Sequence, residues 1–251
     1  MGGLLPPHSP HPKLLVLVPS QFRPPRKGEA IFTVVRYGQM KTISTQTNWV
    51  RPPGPVAAGL RIGLLGGSFN PAHEGHLYAS TLALKRLQLD YVWWLVSPQN
   101  PLKDTTGMAN FTARLAAARK FAQHPRIVVS GIESELGTRF TVDTLARLKR
   151  RFPQLRFVWL MGSDNLIQLP RWRAWQTIFA SVPVAVVARP GTALSARTSK
   201  AAQTFRNAYV APDRHFSVMP PPVWTVLDGK RNPLSATLLR GSGLAKTSHL
   251  W

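Results

Sequence analysis

Residues 66–76 read GGSFNPAHEGH and directly follow the apolar run of residues 62–65. An apolar strand that ends in glycines and leads into a helix brings backbone N–H groups and the positive end of the helix dipole to one point. Such a point suits a phosphate group. The stretch therefore predicts a nucleotide-binding turn between a buried strand and a helix.

The residue types within this turn favour the same interpretation. Gly66 and Gly67 have no Cβ atom, so a phosphate can approach the main chain there. His73 and His76 stand three residues apart at the start of the predicted helix, and side chains at that spacing can face one ligand. The alternatives are a plain tight turn with two solvated histidines, or half of a metal site. A metal site needs a third ligand, and the chain has no cysteine.

The stretch resembles the signature G-[ST]-F-[DN]-P-x-H-x-G-H of the nucleotidyltransferase superfamily, specifically of bacterial nicotinate-nucleotide adenylyltransferases. Residues 67–76 match all ten positions. The shorter H-x-G-H core also occurs in pantetheine-phosphate adenylyltransferases, so the motif defines the superfamily better than the substrate. The resemblance implies catalytic roles for His73 and His76. It also implies an ATP site formed by Gly66, Gly67, Ser68, Phe69, His73 and His76.

Length and composition narrow the class of protein. The 251 residues, 44% of them hydrophobic, suit one large or two small domains with a real core. The absence of cysteine excludes a disulfide framework and fits a reducing compartment. A net charge of +22 predicts attraction to anions, including nucleotides, RNA and acidic membrane surfaces. No apolar run is long enough to cross a bilayer, so we expect a cytoplasmic protein without a membrane partner.

The first 58 residues differ from the rest of the chain. They are rich in proline and carry seven Lys or Arg residues against one acidic residue, Glu29. Proline interrupts helices, and a basic, proline-rich composition favours disorder. We therefore predict a disordered extension over residues 1–58 and a nucleotidyltransferase domain over residues 59–251.

From residue 61 onward, short apolar runs alternate with helical patterns. Candidate strands are residues 61–66, 91–96, 127–129, 156–161, 184–187 and 223–226, and candidate helices lie near residues 75–88, 110–123, 141–151, 171–180 and 235–240. Near-continuous apolar strands separated by helices are typical of a parallel sheet that is covered on both faces. The predicted fold is α/β, a Rossmann-like, doubly wound and mainly parallel sheet, with ligands at the carboxyl ends of the strands.

A second block, residues 161–166, reads MGSDNL and resembles the family's G-[AS]-D-[NS]-L element. A glycine at a strand end lets a ligand approach, and Asp164 offers a carboxylate to ribose hydroxyls or to a donor on adenine. The resemblance makes Trp172 the candidate that stacks on a pyridine ring. Helical spacing places Trp175 in the core instead.

Two loops are candidates for substrate binding. Lys103 is a cation in a proline-bounded loop that also contains Asn100, and in the resembled family this loop lies beside the active site. Arg139 and Thr141 precede a predicted helix, where the family binds the pyridine carboxylate through backbone N–H groups. Thr141 can instead be a simple helix cap. Phe140 stands where the family usually has tyrosine.

The stretch NPLSATLLR, residues 232–240, resembles the superfamily's I-S-[SA]-T-x-[IV]-R element. The resemblance implies that Ser235 and Thr237 bind the ATP phosphates and that Arg240 neutralises their charge. Arg114 and the turn at residues 188–191 also match positions common in the family. The resemblance spans roughly residues 60–240 in the expected order.

The implied reaction transfers the adenylyl group of ATP to nicotinate mononucleotide and releases pyrophosphate, with Mg²⁺ bound to phosphate oxygens. His73, His76, Lys103 and Arg240 would supply positive charge or hydrogen-bond donors, and no covalent nucleophile is needed. Nicotinamide mononucleotide and phosphopantetheine are alternative acceptors. The basic charge also permits an RNA-binding protein, although no RNP or KH signature is present. The sequence leaves a homo-oligomer open.

Overall fold

The structure is a computed structural model that describes residues 51–98, 108–189 and 191–229, together with the backbone of three strands between residues 17 and 46. The chain divides into two units, Met1–Arg51 and Pro52–Trp251. Each unit has a sheet of its own.

The first unit contains a three-stranded antiparallel sheet. Its strands are β1 (Leu17–Pro19), β2 (Glu29–Arg36) and β3 (Gln39–Gln46), and β2 lies in the middle. Residues 29–46 contain no proline and many β-branched residues, which favour strands. Part of the segment for which composition favours disorder thus has regular backbone structure. The separate extension over residues 1–58 stays a prediction.

The second unit contains six strands and eight α-helices among its described residues. The strands are β4 (Arg61–Gly67), β5 (Tyr91–Val96), β6 (Ile127–Ser130), β7 (Arg156–Gly162), β8 (Val184–Val187) and β9 (Trp224–Leu227). The α-helices are α1 (Glu74–Arg86), α2 (Phe111–Phe121), α3 (Ile132–Leu136), α4 (Thr141–Arg151), α5 (Ser163–Gln168), α6 (Trp175–Ser181), α7 (Ala193–Arg197) and α8 (Lys200–Thr204). Short 3₁₀ turns lie at Leu169–Arg171, Arg206–Ala208 and Phe216–Val218.

The six strands form one parallel sheet in the order β6-β5-β4-β7-β8-β9. The chain therefore starts in the middle of the sheet, builds outward to β6, and returns to build the other half from β7. Because parallel connections are right-handed, this reversal puts the helices of the two halves on opposite faces. It also opens a crevice at the carboxyl ends of β4 and β7. The predicted Rossmann-like α/β fold is confirmed.

Strand β5 shows why the sheet is covered on both faces. Trp93 and Trp94 are neighbours in the chain, so their side chains point to opposite faces, and both are completely buried. Trp93 packs edge-on against Phe152 and Phe157, whereas Trp94 stacks on Phe69. The face that carries Trp94 supports the turn after β4, because Phe69 lies in that turn.

The structure confirms all six candidate strands of the parallel sheet. The predicted helix at 171–180 begins only at Trp175, because a 3₁₀ turn containing Pro170 comes first and Ala174 is left-handed, with φ = 46°. Helices α3, α5, α7 and α8 were not predicted, since five or six residues are too few to show helical periodicity. The candidate helix at 235–240 lies outside the described residues.

Candidate active site

The carboxyl ends of β4, β5 and β7 surround a pocket of about 1020 Å³, solvent at its mouth included, which we call the open pocket. It is lined by Gly66, Gly67, Ser68, Ser97, Glu133, Arg139, Phe140, Thr141, Trp159, Asn165, Gln168, Arg171, Trp172 and Arg173. Residues from both sequence blocks thus meet at the crevice between the two halves of the sheet.

A second pocket, of about 400 Å³ with the solvent at its mouth included, lies beside the N-terminus of α1 and the ends of β7 and β8; we call it the small pocket. It is lined by Leu65, Gly75, His76, Tyr78, Ala79, Gly162, Val187, Ala188 and Arg189. The two pockets lie on either side of the point where the strand order reverses, which is where ligands bind in open α/β sheets.

The histidine pair is locked into the start of α1. Nδ1 of His73 accepts the N–H of Gly75 at 3.0 Å, and Nδ1 of His76 accepts the N–H of His73 at 3.3 Å. The two ring centroids are 3.9 Å apart. Because both Nδ1 atoms are acceptors, the proton of each neutral ring is on Nε2. The spacing of three residues thus brings the two imidazoles together, as the sequence predicts.

Burial and, to a smaller extent, the nearby positive charge of Arg189 together lower the pKa of His73 to about 4. The residue is only 3% exposed. At neutral pH His73 is therefore an uncharged hydrogen-bond donor. Of the two predicted roles, positive charge or a hydrogen-bond donor, a neutral His73 is suited to the second.

We expect the His73 ring to stay neutral from pH 8 down to about 5.5 and to titrate near pH 4. The ring nitrogens, followed by ¹⁵N NMR and assigned with His73→Gln, report its protonation directly. The urea-unfolded protein is the control, since there the same ring should titrate near its ordinary value of about 6.5. A midpoint at pH 6 or above in the folded protein would contradict the buried, neutral state.

His76 rests on an aromatic support. The Phe69 ring lies 4.6 Å from the His76 ring and stacks on Trp94 at 5.0 Å. The indole N–H of Trp94 donates to Ser80 Oγ at 2.7 Å, and the Ser80 hydroxyl donates to the carbonyl of His76 at 2.8 Å. Phe69 is 1% exposed, and its φ is 46°. Its buried ring contacts both the His76 ring and the Trp94 ring. Only its backbone is left to contact ATP.

The glycines of the turn are needed for a reason that the sequence did not reveal. A Cβ atom on Gly66 would lie 2.6 Å from the Trp159 ring, and one on Gly67 would lie 3.3 Å from the Phe69 ring. Neither glycine has a positive φ. Aromatic rings thus occupy the space where Cβ atoms would lie, which is a packing reason for glycine at both positions; the approach of a phosphate to the main chain stays a prediction.

Asp164 lies at the start of α5, directly after β7, and pairs with Arg189 at 3.3 Å. Its Oδ1 atom is buried and has no hydrogen-bond partner among the described residues, so this oxygen is left to accept a donor from a ligand. A Cβ atom on Gly162 would collide with both side chains of the pair. The structure therefore explains the glycine before Asp164 as room for the ion pair.

Arg189 is a site residue that sequence reasoning missed. It lines the small pocket together with His76, and its N–H donates to Ser163 Oγ at 2.9 Å. The turn at residues 188–191 was the only signal of its role, and that turn does not indicate that the arginine side chain extends back towards the histidines.

Three of the predicted substrate-binding residues, Arg139, Thr141 and Trp172, come together in the open pocket. Thr141 is the first residue of α4, and Phe140 occupies the cap position without a side-chain hydrogen bond, so the interpretation of Thr141 as a cap is wrong. Trp175 is 8% exposed and belongs to the core, as predicted.

Two further arginines, Arg171 and Arg173, line the same pocket and were not predicted. The guanidinium of Arg173 lies 4.9 Å from the centroid of the Phe140 ring and pairs with Asp143 at 3.3 Å. With Arg139, three guanidinium groups stand around one pocket. Such a lining favours an anionic ligand.

Glu133 is a buried carboxyl group in the open pocket, and burial raises its pKa to about 7. The hydroxyl of Thr144 donates to its Oε1 at 3.1 Å, and Thr144 in turn lies 2.9 Å from the hydroxyl of Thr138. This network joins α3 to α4. Nothing in the sequence indicates that Glu133 is buried, because it lies in a short helix with a second glutamate.

The raised pKa of Glu133 predicts a pH-dependent effect of Glu133→Gln on stability. The folded protein holds a proton between about pH 4.5 and 7 that the unfolded chain releases, so this group's contribution to the free energy of unfolding is present at low pH and is lost as pH rises through 7. Relative to the wild type, the free energy of unfolding of Glu133→Gln should rise by on the order of 3 kcal/mol between pH 4 and pH 8.

Urea unfolding of both proteins at each pH measures this gain, since the other titrating groups cancel in the difference. Glu135→Gln removes an exposed carboxylate from the same helix and is the matched control. A constant difference between Glu133→Gln and the wild type across this range would contradict the raised pKa.

Five predicted residues lie outside the described residues and stay predictions: Asn100, Lys103, Ser235, Thr237 and Arg240. Within the described ranges, no three His, Cys, Asp or Glu side chains cluster closely enough to hold a metal ion. No helix in that part of the chain is both long and apolar enough to cross a membrane.

Residues 64–242 match the family described as cytidylyltransferase-like. Over 190 residues the chain is 57% identical to a protein of Parvibaculum lavamentivorans named probable nicotinate-nucleotide adenylyltransferase, an alignment that covers 75% of this chain and 94% of that protein. A protein of the same name from Cereibacter sphaeroides is 53% identical over 182 residues, which cover 72% of this chain and 97% of the relative.

Among solved structures, the chain resembles the Plasmodium falciparum nicotinic acid mononucleotide adenylyltransferase complexed with NaAD. The TM-score is 0.56 at 15% identity, with 72% of this chain and 83% of that chain covered. This likeness shows a shared fold. Together with the identities above 50% over nearly the whole length of the relatives, it confirms the resemblance found in residues 66–76: the chain belongs to the nicotinate-nucleotide adenylyltransferase family.

Proposed function

We propose that the protein transfers the adenylyl group of ATP to nicotinate mononucleotide, forming nicotinate adenine dinucleotide and pyrophosphate in NAD biosynthesis. One observation carries the proposal: the small pocket, lined by His76 at the N-terminus of α1, and the arginine-lined pocket that contains Trp172 lie at the same edge of the sheet. The family membership supports the same reaction.

The chemistry needs alignment and charge neutralisation. A 5′-phosphate oxygen of nicotinate mononucleotide attacks the α-phosphorus of ATP, the new P–O bond forms as the bond to the β-phosphate bridge breaks, and pyrophosphate leaves. His73 and His76 would donate Nε2–H bonds to phosphate oxygens as charge builds up on them. Lys103 and Arg240 would add positive charge. No step requires a covalent bond to the protein.

Asp164 and Arg189 would hold the nucleotide beside the histidines. The unpartnered Oδ1 of Asp164 would accept a ribose hydroxyl, and Arg189 would face a phosphate from the wall of the small pocket. Since burial and, to a smaller extent, Arg189 keep His73 neutral, the histidine acts as a donor whose proton is not lost or gained near pH 7.

The acceptor would bind in the open pocket. Trp172 is half-buried there and offers a ring face for the pyridine, while Arg139 and the first residue of α4, Thr141, stand where a carboxylate would meet positive charge and N–H groups. An amide in place of the carboxylate would lose the charge-assisted part of this interaction.

Mg²⁺ is part of the proposal as the ion that enters with ATP. Since the described residues offer no cluster of metal-binding side chains, its ligands would be phosphate oxygens and water, the environment that Mg²⁺ commonly keeps. When bound, it would neutralise phosphate charge.

Release of pyrophosphate by the purified protein tests the proposal. Mg²⁺-ATP is supplied with nicotinate mononucleotide, nicotinamide mononucleotide or phosphopantetheine in separate reactions. We expect turnover with the nicotinate substrate to be at least about tenfold faster than with the amide, the effect of about 1.4 kcal/mol of discrimination. Equal rates, or a preference for phosphopantetheine, would contradict the proposed acceptor.

A further inference from the structure

Arg114 is a buried cation whose described hydrogen bonds all go to backbone carbonyl groups, and its guanidinium lies 5.8 Å from the centroid of the Phe111 ring. It lies in the first turn of α2 and is 2% exposed. Nη1 donates to Ser68 O at 2.6 Å and to Ser97 O at 2.9 Å, Nη2 donates to Pro98 O at 2.9 Å, and Nε donates to Ala109 O at 3.0 Å.

No carboxylate in the described ranges pairs with this guanidinium, and burial lowers the pKa of Arg114. Removing a charge from water is unfavourable, and the four hydrogen bonds offset that cost. An arginine can do this because its planar fork reaches several acceptors at once. A lysine, a point charge on a flexible stem, has no such fixed geometry.

The four carbonyl groups belong to segments that must be held together at the site. Ser68 lies in the turn after β4, and Ser97 follows β5; both line the open pocket. The N–H of Ser97 also donates to the carbonyl of Gly67 at 2.9 Å. Arg114 therefore joins the ends of two neighbouring strands at the point where the sheet ladder stops.

The contact with Ser68 leads directly to His76. The carbonyl of Ser68 belongs to the peptide group that precedes Phe69, whose φ of 46° is unfavourable for a residue with a side chain. Such a conformation persists only where the surroundings fix it. Arg114 fixes it on the backbone side, and Trp94 fixes it by stacking on the Phe69 ring, which in turn contacts His76.

We propose that Arg114 is a positioning residue for His76, acting through the Ser68 carbonyl and the Phe69 ring. The catalytic consequence rests on the proposed function, in which His76 contacts ATP phosphates. The positional consequence does not, because it concerns the orientation of one ring against another in the free protein.

The test compares Arg114→Lys with Arg119→Lys, the same substitution at an exposed position on the same helix. The ring protons of His76, observed by NMR, are sensitive to the ring currents of Phe69 and Trp94. We expect their resonances to move towards unfolded-state values in Arg114→Lys and to stay in place in Arg119→Lys. We also expect kcat to fall about tenfold or more, with a smaller change in KM for ATP, because misplacement of a catalytic group acts on the transition state.

A loss of stability alone must be told apart from loss of position. Val226→Ala removes buried methyl groups from β9, outside the residues that line the two pockets, and lowers the melting temperature without touching the turn. The proposal is overturned if Arg114→Lys lowers the melting temperature as Val226→Ala does but leaves the His76 resonances at their wild-type positions and kcat within twofold of the wild type.

Two further arms cover the remaining outcomes. If Arg114→Lys does not fold, Arg114→Gln, which removes the buried charge and keeps two donors, is measured in its place with the same expectations. If the wild type turns over no acceptor, the proposed function fails, and the NMR comparison alone decides: displaced His76 resonances support the positioning role, and unchanged resonances overturn it.

Discussion

Replacing His76 by alanine is expected to lower kcat by about 10²- to 10³-fold, the usual effect of removing one donor to developing charge. Because that interaction is made in the transition state, kcat/KM should fall by a similar factor and KM for ATP should change little. Steady-state pyrophosphate release at saturating nicotinate mononucleotide measures the effect.

Stability is the control for this variant. His76 also accepts the N–H of His73 in the capping arrangement of α1. The variant should therefore lose about 1 kcal/mol of stability, which lowers its melting temperature. His215→Ala is the matched control, since His215 is an exposed histidine that pairs with Asp213. A His76→Ala protein whose kcat stays within twofold of the wild type would remove His76 from the mechanism.

Replacing Gly66 by alanine is expected to disrupt both the fold around the turn and turnover. The added Cβ would lie 2.6 Å from the ring of Trp159, which is 2% exposed. Overpacking of this kind costs about 1–3 kcal/mol. The end of β4 would also shift, and a displacement near 1 Å at the site can cost about 10²-fold in rate.

The collision itself is tested by a double variant. Trp159→Leu removes the ring atoms that the new Cβ meets. The double variant should therefore lose less stability than the two single variants lose together, by about 0.5–3 kcal/mol. Urea unfolding of the four proteins gives this coupling. Additive effects would show that Trp159 is not the reason for glycine at position 66.

The sheet could be predicted from the sequence because its strands are buried on both faces. Runs such as YVWWLV at Tyr91–Val96 are apolar at every position, which surface elements rarely are. The resemblance to the family implied substrate-binding roles for Arg139, Thr141 and Trp172, and the structure brings the three together in one pocket. The short helices were missed because they have no periodicity to detect.

The missed residues share a different cause: their roles depend on contacts across the fold. Glu133 is exposed or buried according to how α4 packs on α3, and the pattern of one short helix cannot show this. Arg189 reaches the histidines only after β8 is placed beside β7. The packing reason for glycine at position 66 depends on Trp159, which the neighbouring strand β7 places against it.

Internal competition tests the central claim most directly. The wild-type protein is given Mg²⁺-ATP with equal concentrations of nicotinate and nicotinamide mononucleotide, and the two dinucleotide products are quantified by mass spectrometry, so their ratio gives the ratio of kcat/KM values. We expect nicotinate adenine dinucleotide to exceed NAD by at least about tenfold. Equal amounts, an excess of NAD, or no dinucleotide would contradict a nicotinate-nucleotide adenylyltransferase.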